Sequence, residues 1–266
     1  MKIISLLDNL VYKQGLKAEH GLSLLLEIEN KRILFDTGQS DLFLQNATKL
    51  GISPETIDAV ILSHGHYDHT GGLYPFLREN TKAKVYAKET IFSPKYHGIN
   101  RFIGCKKDDS ILRNRFVPIN TVTKLLPNLY IMPHIPIILN NDTHFKHFFV
   151  QQHDDLIPDE FNDELFLVIT SNHQINIITA CSHRGITNIC SAATQHFALP
   201  VNLIIGGFHT KESTLEQYNT IVKYMRKLQP RTIGVCHCTG VEKYADLRYD
   251  CDAKVFYHYT GHECIL

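Results

Sequence analysis

Ser63-His64-Gly65-His66-Tyr67-Asp68-His69-Thr70-Gly71-Gly72 places three histidines and one aspartate within six residues. The apolar run before it, Ile57-Asp58-Ala59-Val60-Ile61-Leu62, reads as a buried strand. That strand delivers the cluster onto a loop, and the two glycines let the loop bend tightly. Imidazole and carboxylate are donors that suit zinc, manganese or iron. The alternative, four polar residues on a surface loop, does not account for four specified positions following a strand.

The spacing adds chemistry. His64 and His66 are two residues apart, so on an extended chain they point the same way and can share one ion. Asp68 and His69 follow after the chain has turned and can face a second ion. Two ions about 3.5–4 Å apart can polarise a substrate oxygen and activate a water between them.

With 266 residues the chain is long enough for one large domain with a sizeable core, and we read residues 1–266 as a single domain. Lys+Arg and Asp+Glu are both 27, so the formal net charge is zero. That balance argues against nucleic acid or an anionic membrane as partner. No run is long enough for a membrane-spanning helix. Met1-Lys2-Ile3-Ile4-Ser5-Leu6-Leu7 is cut off by Asp8 too early for a signal core and reads as a first strand. Seven cysteines, an odd number, fit reduced thiols in a cytoplasmic protein. Cys236-His237-Cys238 lacks a second cysteine pair and is a weak zinc-thiolate signal.

Around the cluster the chain alternates strands and helices. Residues 22–28 and 33–35 form a hairpin across Asn30-Lys31-Arg32, ended by Asp36-Thr37-Gly38. Residues 41–50 have helical spacing, with Gly51 as the stop. Lys84-Val85-Tyr86-Ala87 is another strand. Between about residues 90 and 126 the pattern weakens, and Lys95, Arg101, Lys106, Lys107, Arg113 and Arg115 accumulate. This is a lid or insertion, or else a solvated loop. Strands return at 165–170, 175–179, 203–205 and 232–235, with helices at 185–198 and 213–228.

Three of the later strands end in histidine: His183 after Ile177–Ala180, His209 after Ile205-Gly206-Gly207-Phe208, and His237 after Val235. Histidines at three strand ends downstream of a metal motif point to ligation rather than core packing. His144, His147, His153, His173 and His196 read as ordinary surface or packing residues.

Phe35-Asp36-Thr37-Gly38, the 63–72 cluster, His183 and His237 together resemble the metallo-β-lactamase superfamily over essentially the whole chain. Glu19-His20-Gly21-Leu22-Ser23, Cys181-Ser182-His183-Arg184-Gly185-Ile186-Thr187-Asn188-Ile189, Gly206-Gly207-Phe208-His209 and His237-Cys238-Thr239-Gly240 are similar to the branch that includes archaeal dihydropterin–ribofuranosylaminobenzene phosphate synthase. The resemblance implies an α/β fold, a four-layer αββα sandwich with metals at one edge of the two sheets. It implies His64, His66 and His183 on one ion, and Asp68, His69 and His237 on another. It also implies Asp36 behind a ligand histidine, as metal-bound imidazoles generally require. The cofactor implied is zinc, one or two ions, with manganese or iron as alternatives.

One departure stands out. Most hydrolases of the superfamily carry a bridging aspartate between the positions of His183 and His237. Here Gly206-Gly207-Phe208-His209 stands in its place, and the only carboxylates of the interval, Glu212 and Glu216, fall in the following helix by this reading. A neutral imidazole cannot bridge two cations as a carboxylate does. Asp68 and His209 are the candidate catalytic groups; His20, Arg184 and the basic 90–126 segment are candidate substrate contacts. The reading is a metal-dependent enzyme acting on a small anionic metabolite, pterin- or phosphate-containing. The alternatives are a metal- or ligand-binding protein without turnover and a phosphodiesterase acting on nucleotides. Oligomeric state is not legible.

Overall fold

The computed structural model describes residues 1–266, which divide into two compact units. The first comprises Met1–Ile119, Lys146–Asp163 and His258–Leu266; the second comprises Asn120–Phe145 and Glu164–Tyr257.

The first unit is built on a seven-stranded sheet. Its strand order is Glu263–Ile265, Lys2–Leu7, Ser23–Ile28, Lys31–Phe35, Ala59–Ile61, Lys84–Ala87 and Phe116–Pro118. The hairpin turns on Glu29 and Asn30, both left-handed (φ 50° and 64°), one position earlier than the expected turn. Two such residues give the turn whose twist matches that of paired strands. From Lys31–Phe35 onward the neighbours run parallel. Parallel strands are covered on both faces, so they read as continuous apolar runs. Leu25, Leu34, Phe43, Val60, Phe76 and Val85 share one buried cluster. Each such side chain contributes roughly 1.5–3 kcal/mol on burial.

The 90–126 stretch is distributed over three sheets. Lys95–His97 and Arg101–Phe102 join Phe148–Gln152 and Asp155–Pro158 in a four-stranded sheet of the first unit. Phe116–Pro118 takes the edge of the large sheet, and Thr123–Leu126 belongs to the second unit. Strands of two to four residues are too short for a periodic pattern, which is why this stretch is weak in sequence.

The second unit has its own seven-stranded sheet, ordered Lys254–Tyr257, Thr232–Val235, Val201–Gly206, Gln174–Ile178, Phe166–Ser171, Leu129–Met132 and Thr123–Leu126. The first four are parallel. Helices Ile186–Phe197, Leu215–Leu228 and Val241–Asp250 make the crossovers that parallel strands require. Thr214 caps the second of these by accepting from Gln217 N. Glu216 lies in its first turn, whereas Glu212 sits in the turn before it. No helix is long and apolar enough to cross a membrane.

Candidate metal centre

In the first unit, the ends of two adjacent parallel strands carry Asp36 and the start of the 63–72 cluster. Asp36 follows Phe35, Ser63 and His64 follow Ile61, and the two strands are paired. Asp36 adopts a left-handed φ of 60°, a conformation that short polar residues tolerate. Its carboxylate accepts from Ser63 N and Ser63 Oγ at 2.7 Å each, and its Oδ2 lies 2.7 Å from His69 Nδ1.

These bonds fix the imidazole tautomers. A carboxylate only accepts, so His69 Nδ1 donates to Asp36, and so does Ser63 Oγ. Having donated its one proton, Ser63 Oγ accepts from His64 Nδ1 at 2.8 Å. In both rings the proton is on Nδ1 and the lone pair is on Nε2, the state of a metal ligand. The ligand nitrogens of His64 and His66 lie within 4.8 Å of each other, as do those of His64 and His69. Burial holds the His64 pKa well below 6.5, and the neighbouring His69 and His66 push it the same way, so the ring is neutral and able to ligate.

His69 Nε2 lies 3.6 Å from Asp68 Oδ2. Two acceptors at that distance suit a shared cation, because ligands about 2.0–2.2 Å from a tetrahedral ion are roughly 3.4 Å apart. The donor set therefore fits a divalent ion. His20 Nε2 also reaches Asp68 Oδ2, at 3.1 Å, and the His20 side chain is 55% exposed.

Gly71 and Gly72 do not serve to bend the loop, contrary to expectation. Their φ values, −63° and −82°, are ordinary helical ones. They are needed for close approach. A Cβ on Gly71 would lie 2.1 Å from the Gln39 carbonyl oxygen, and one on Gly72 would lie 2.2 Å from that of Thr37. The motif segment is pressed against the 37–39 turn, where Thr37 N and Oγ1 both donate to the His69 carbonyl.

In the second unit, His183, His209 and His237 follow three neighbouring parallel strands. Ser182, His209 and His237 are left-handed, with φ of 58°, 53° and 50°. Such strain in non-glycine residues gathers where structure serves function. His183 Nδ1 donates to the His144 carbonyl at 3.3 Å, which leaves the lone pair on Nε2. Its backbone N–H donates to Glu164 at 2.7 Å, as does that of Arg184 at 2.8 Å. The donor atoms of Cys181, His183 and His209 lie within 4.8 Å of one another, and so do those of Cys181, His237 and Cys238.

Several side chains differ from the sequence reading. His144 lies at the packing end of its reading, not at the surface: its side chain is 7% exposed, its ring lies 4.9 Å from that of His209, and its carbonyl accepts from His183 Nδ1. Proximity across 39 residues has no sequence signature. His147, His153, His173 and His196 are exposed, as read. Cys181 is a soft donor the reading passed over, and Cys238 gains weight beside it. Two basic residues of the 90–126 stretch are not free for substrate. Lys95 is buried against Asp159 and Asp163, and Arg115 donates to the Ala83 and Leu77 carbonyls. Arg184 Nε donates to the Ile135 carbonyl, which fixes its guanidinium plane.

A family model described as the metallo-beta-lactamase superfamily matches residues 16–182. The chain belongs to this superfamily. It is 30% identical over 258 residues, 90% of this chain and 88% of the relative, to the 7,8-dihydropterin-6-methyl-4-(beta-D-ribofuranosyl)-aminobenzene-5'-phosphate synthase of Methanocaldococcus jannaschii. It is 34% identical to an uncharacterized protein of the same organism, over 88% of this chain and 89% of that one. Among solved structures, a metal-dependent hydrolase of the beta-lactamase superfamily aligns over 100% of this chain and 99% of its own, with a TM-score of 0.86 and 32% identity. The α/β fold class and the superfamily expected from the 63–72 cluster are those found.

Proposed function

We propose that this superfamily member is a metal-dependent hydrolase or closely related enzyme whose substrate is a small anionic metabolite bearing a phosphate or a pterin. The observation that carries this reading is the path from His64 through Ser63 to Asp36 and back to His69, which leaves both Nε2 atoms as ligands. The ligands we assign are His64, His66 and His183 for one ion, and Asp68, His69 and His237 for a second, with zinc as the metal. A divalent ion at such ligands polarises a substrate oxygen and lowers the pKa of water. His20 Nε2, 3.1 Å from Asp68 Oδ2 and exposed, holds that carboxylate in place at the solvent side of the site. The pterin-phosphate class rests on the name carried by the relative from Methanocaldococcus jannaschii.

The test is element-resolved metal content of protein purified without added metal, followed by turnover of phosphomonoesters, phosphodiesters, diphosphates, thioesters, lactones and pterin phosphates. Metal-dependent turnover of a phosphate- or pterin-bearing compound is the expected result. A second reading, a metal-binding protein without turnover, is favoured by His209 standing where a bridging carboxylate is usual. Bound metal with no turnover of any compound supports that second reading.

A further inference from the structure

Beneath the His64-Gly65-His66 segment lies a buried ion triad that the proposed chemistry does not use. Lys95, Asp159 and Asp163 are 2%, 3% and 2% exposed. Lys95 Nζ donates to Asp159 Oδ2 and, at 2.9 Å, to Asp163 Oδ1. The other oxygen of Asp163 accepts from Gly65 N at 2.7 Å. Gly65 lies between two of the assigned ligands, so this one bond holds the segment that spaces them.

Two further contacts tie the triad to the same segment. A Cβ on Gly65 would sit 2.3 Å from the Ile91 carbonyl oxygen, 3.0 Å from Lys95 Cε and 3.2 Å from Asp163 Oδ2, so the backbone rests directly on the triad. Asp159 Oδ1 accepts from Phe161 N at 2.8 Å. The Phe161 ring meets the His66 ring edge-on, with centroids 5.2 Å apart and planes at 79°. Lys95 Nζ is 5.2 Å from the centre of that phenyl ring.

A buried ion triad is a poor source of stability, because apolar residues of like volume often do as well. Its best-attested use is to specify one arrangement. We infer that Lys95 and Asp163 are positioning residues that set His64 and His66 at the spacing needed for one metal ion, an inference that rests on the ligand assignment proposed above. Burial alone drives the Lys95 ammonium toward neutrality, but the Asp163 and Asp159 carboxylates outweigh it and hold the pKa above that of an ordinary lysine. Lys95 therefore stays an ammonium that both carboxylates accept from. Glu164, the next residue, holds His183 N and Arg184 N in the second unit by the same device.

The test compares Asp163→Asn, Lys95→Met and Asp159→Asn, measuring zinc affinity by chelator competition and thermal unfolding of the metal-free protein. All three lower the unfolding temperature. Asp163→Asn and Lys95→Met weaken zinc binding about 10–100-fold, the usual effect of losing support behind a ligand. Asp159→Asn keeps an acceptor for Phe161 N and the Asp163–Gly65 bond, so its affinity changes less than about threefold. Affinity losses that simply track unfolding temperature across the three, or wild-type affinity in Asp163→Asn, overturn the inference. If Lys95→Met does not fold, the two aspartate variants decide by themselves. His66→Ala separates the two levels: metal retained there overturns the ligand assignment. Metal lost there but kept at full affinity in Asp163→Asn overturns only the positioning role.

Discussion

Asp36 Oδ2 lies 2.7 Å from His69 Nδ1, with both side chains fully buried. The same oxygen receives Ser63 Oγ, which in turn receives His64 Nδ1. One carboxylate therefore orients two imidazoles, one on each side of the turn in the motif. Asp36→Ala is expected to lower metal affinity about 10–100-fold, by loosening both rings at once. Asp36→Asn keeps the left-handed backbone but offers one acceptor oxygen, so it should fall between wild type and Asp36→Ala. Chelator competition on the metal-free proteins measures the order of the three.

His66→Ala should remove most of the bound metal. It deletes one of the three nitrogen ligands assigned to the tighter ion, leaving two where a stable site needs at least three protein ligands. Element analysis of the purified variant gives the answer. Unchanged metal content there contradicts the assignment.

His209 stands where a carboxylate is usual, and its ring lies 4.4 Å from that of His183. His209→Asp should tighten the second ion and raise hydrolysis of a generic phosphodiester, since a carboxylate can bridge where an imidazole cannot. Aspartate tolerates the left-handed backbone found at this position. Loss of activity with unchanged metal affinity marks His209 as a proton-transfer or substrate group. No change in either marks it as a packing residue.

Acid stability should depend on His258, away from the assigned ligands. Burial, with His262 beside it, lowers the His258 pKa to about 3, and its Nδ1 lies 2.8 Å from His262 Nδ1. The folded state therefore binds fewer protons than the unfolded chain below pH 6.5. The stabilisation is complete above that pH and is lost as pH falls toward 3, by up to about 1.4 kcal/mol per pH unit. His258→Gln should flatten the fall in unfolding free energy between pH 6 and pH 4, read from denaturant titrations. An unchanged slope would show that other groups dominate.

Much of the candidate site was legible in the chain because its signals are local. Two histidines separated by one residue, an aspartate directly after a strand end, and histidines at the ends of apolar runs are all short-range patterns. The parallel strands were legible for the same reason, since burial on both faces leaves an unbroken apolar run. The 90–126 stretch was not, because strands of two to four residues carry no period, and Lys95–His97 pairs with residues 148–150, some fifty residues further on.

The sequence by itself determined the superfamily, and it nominated the histidine and aspartate donors with Asp36 behind them. Tertiary structure decided which atoms do the supporting. Ser63 as the link between Asp36 and His64, the His144 carbonyl behind His183, and the Lys95–Asp163 pair under Gly65 join residues 27, 39 and 68 positions apart. It also decided that Gly71 and Gly72 allow close approach rather than bending, and that Lys95 and Arg115 are held in place instead of facing substrate. Hydrogen-bond partners and steric neighbours are set by which strands pair and where they end, and no single stretch of chain encodes that.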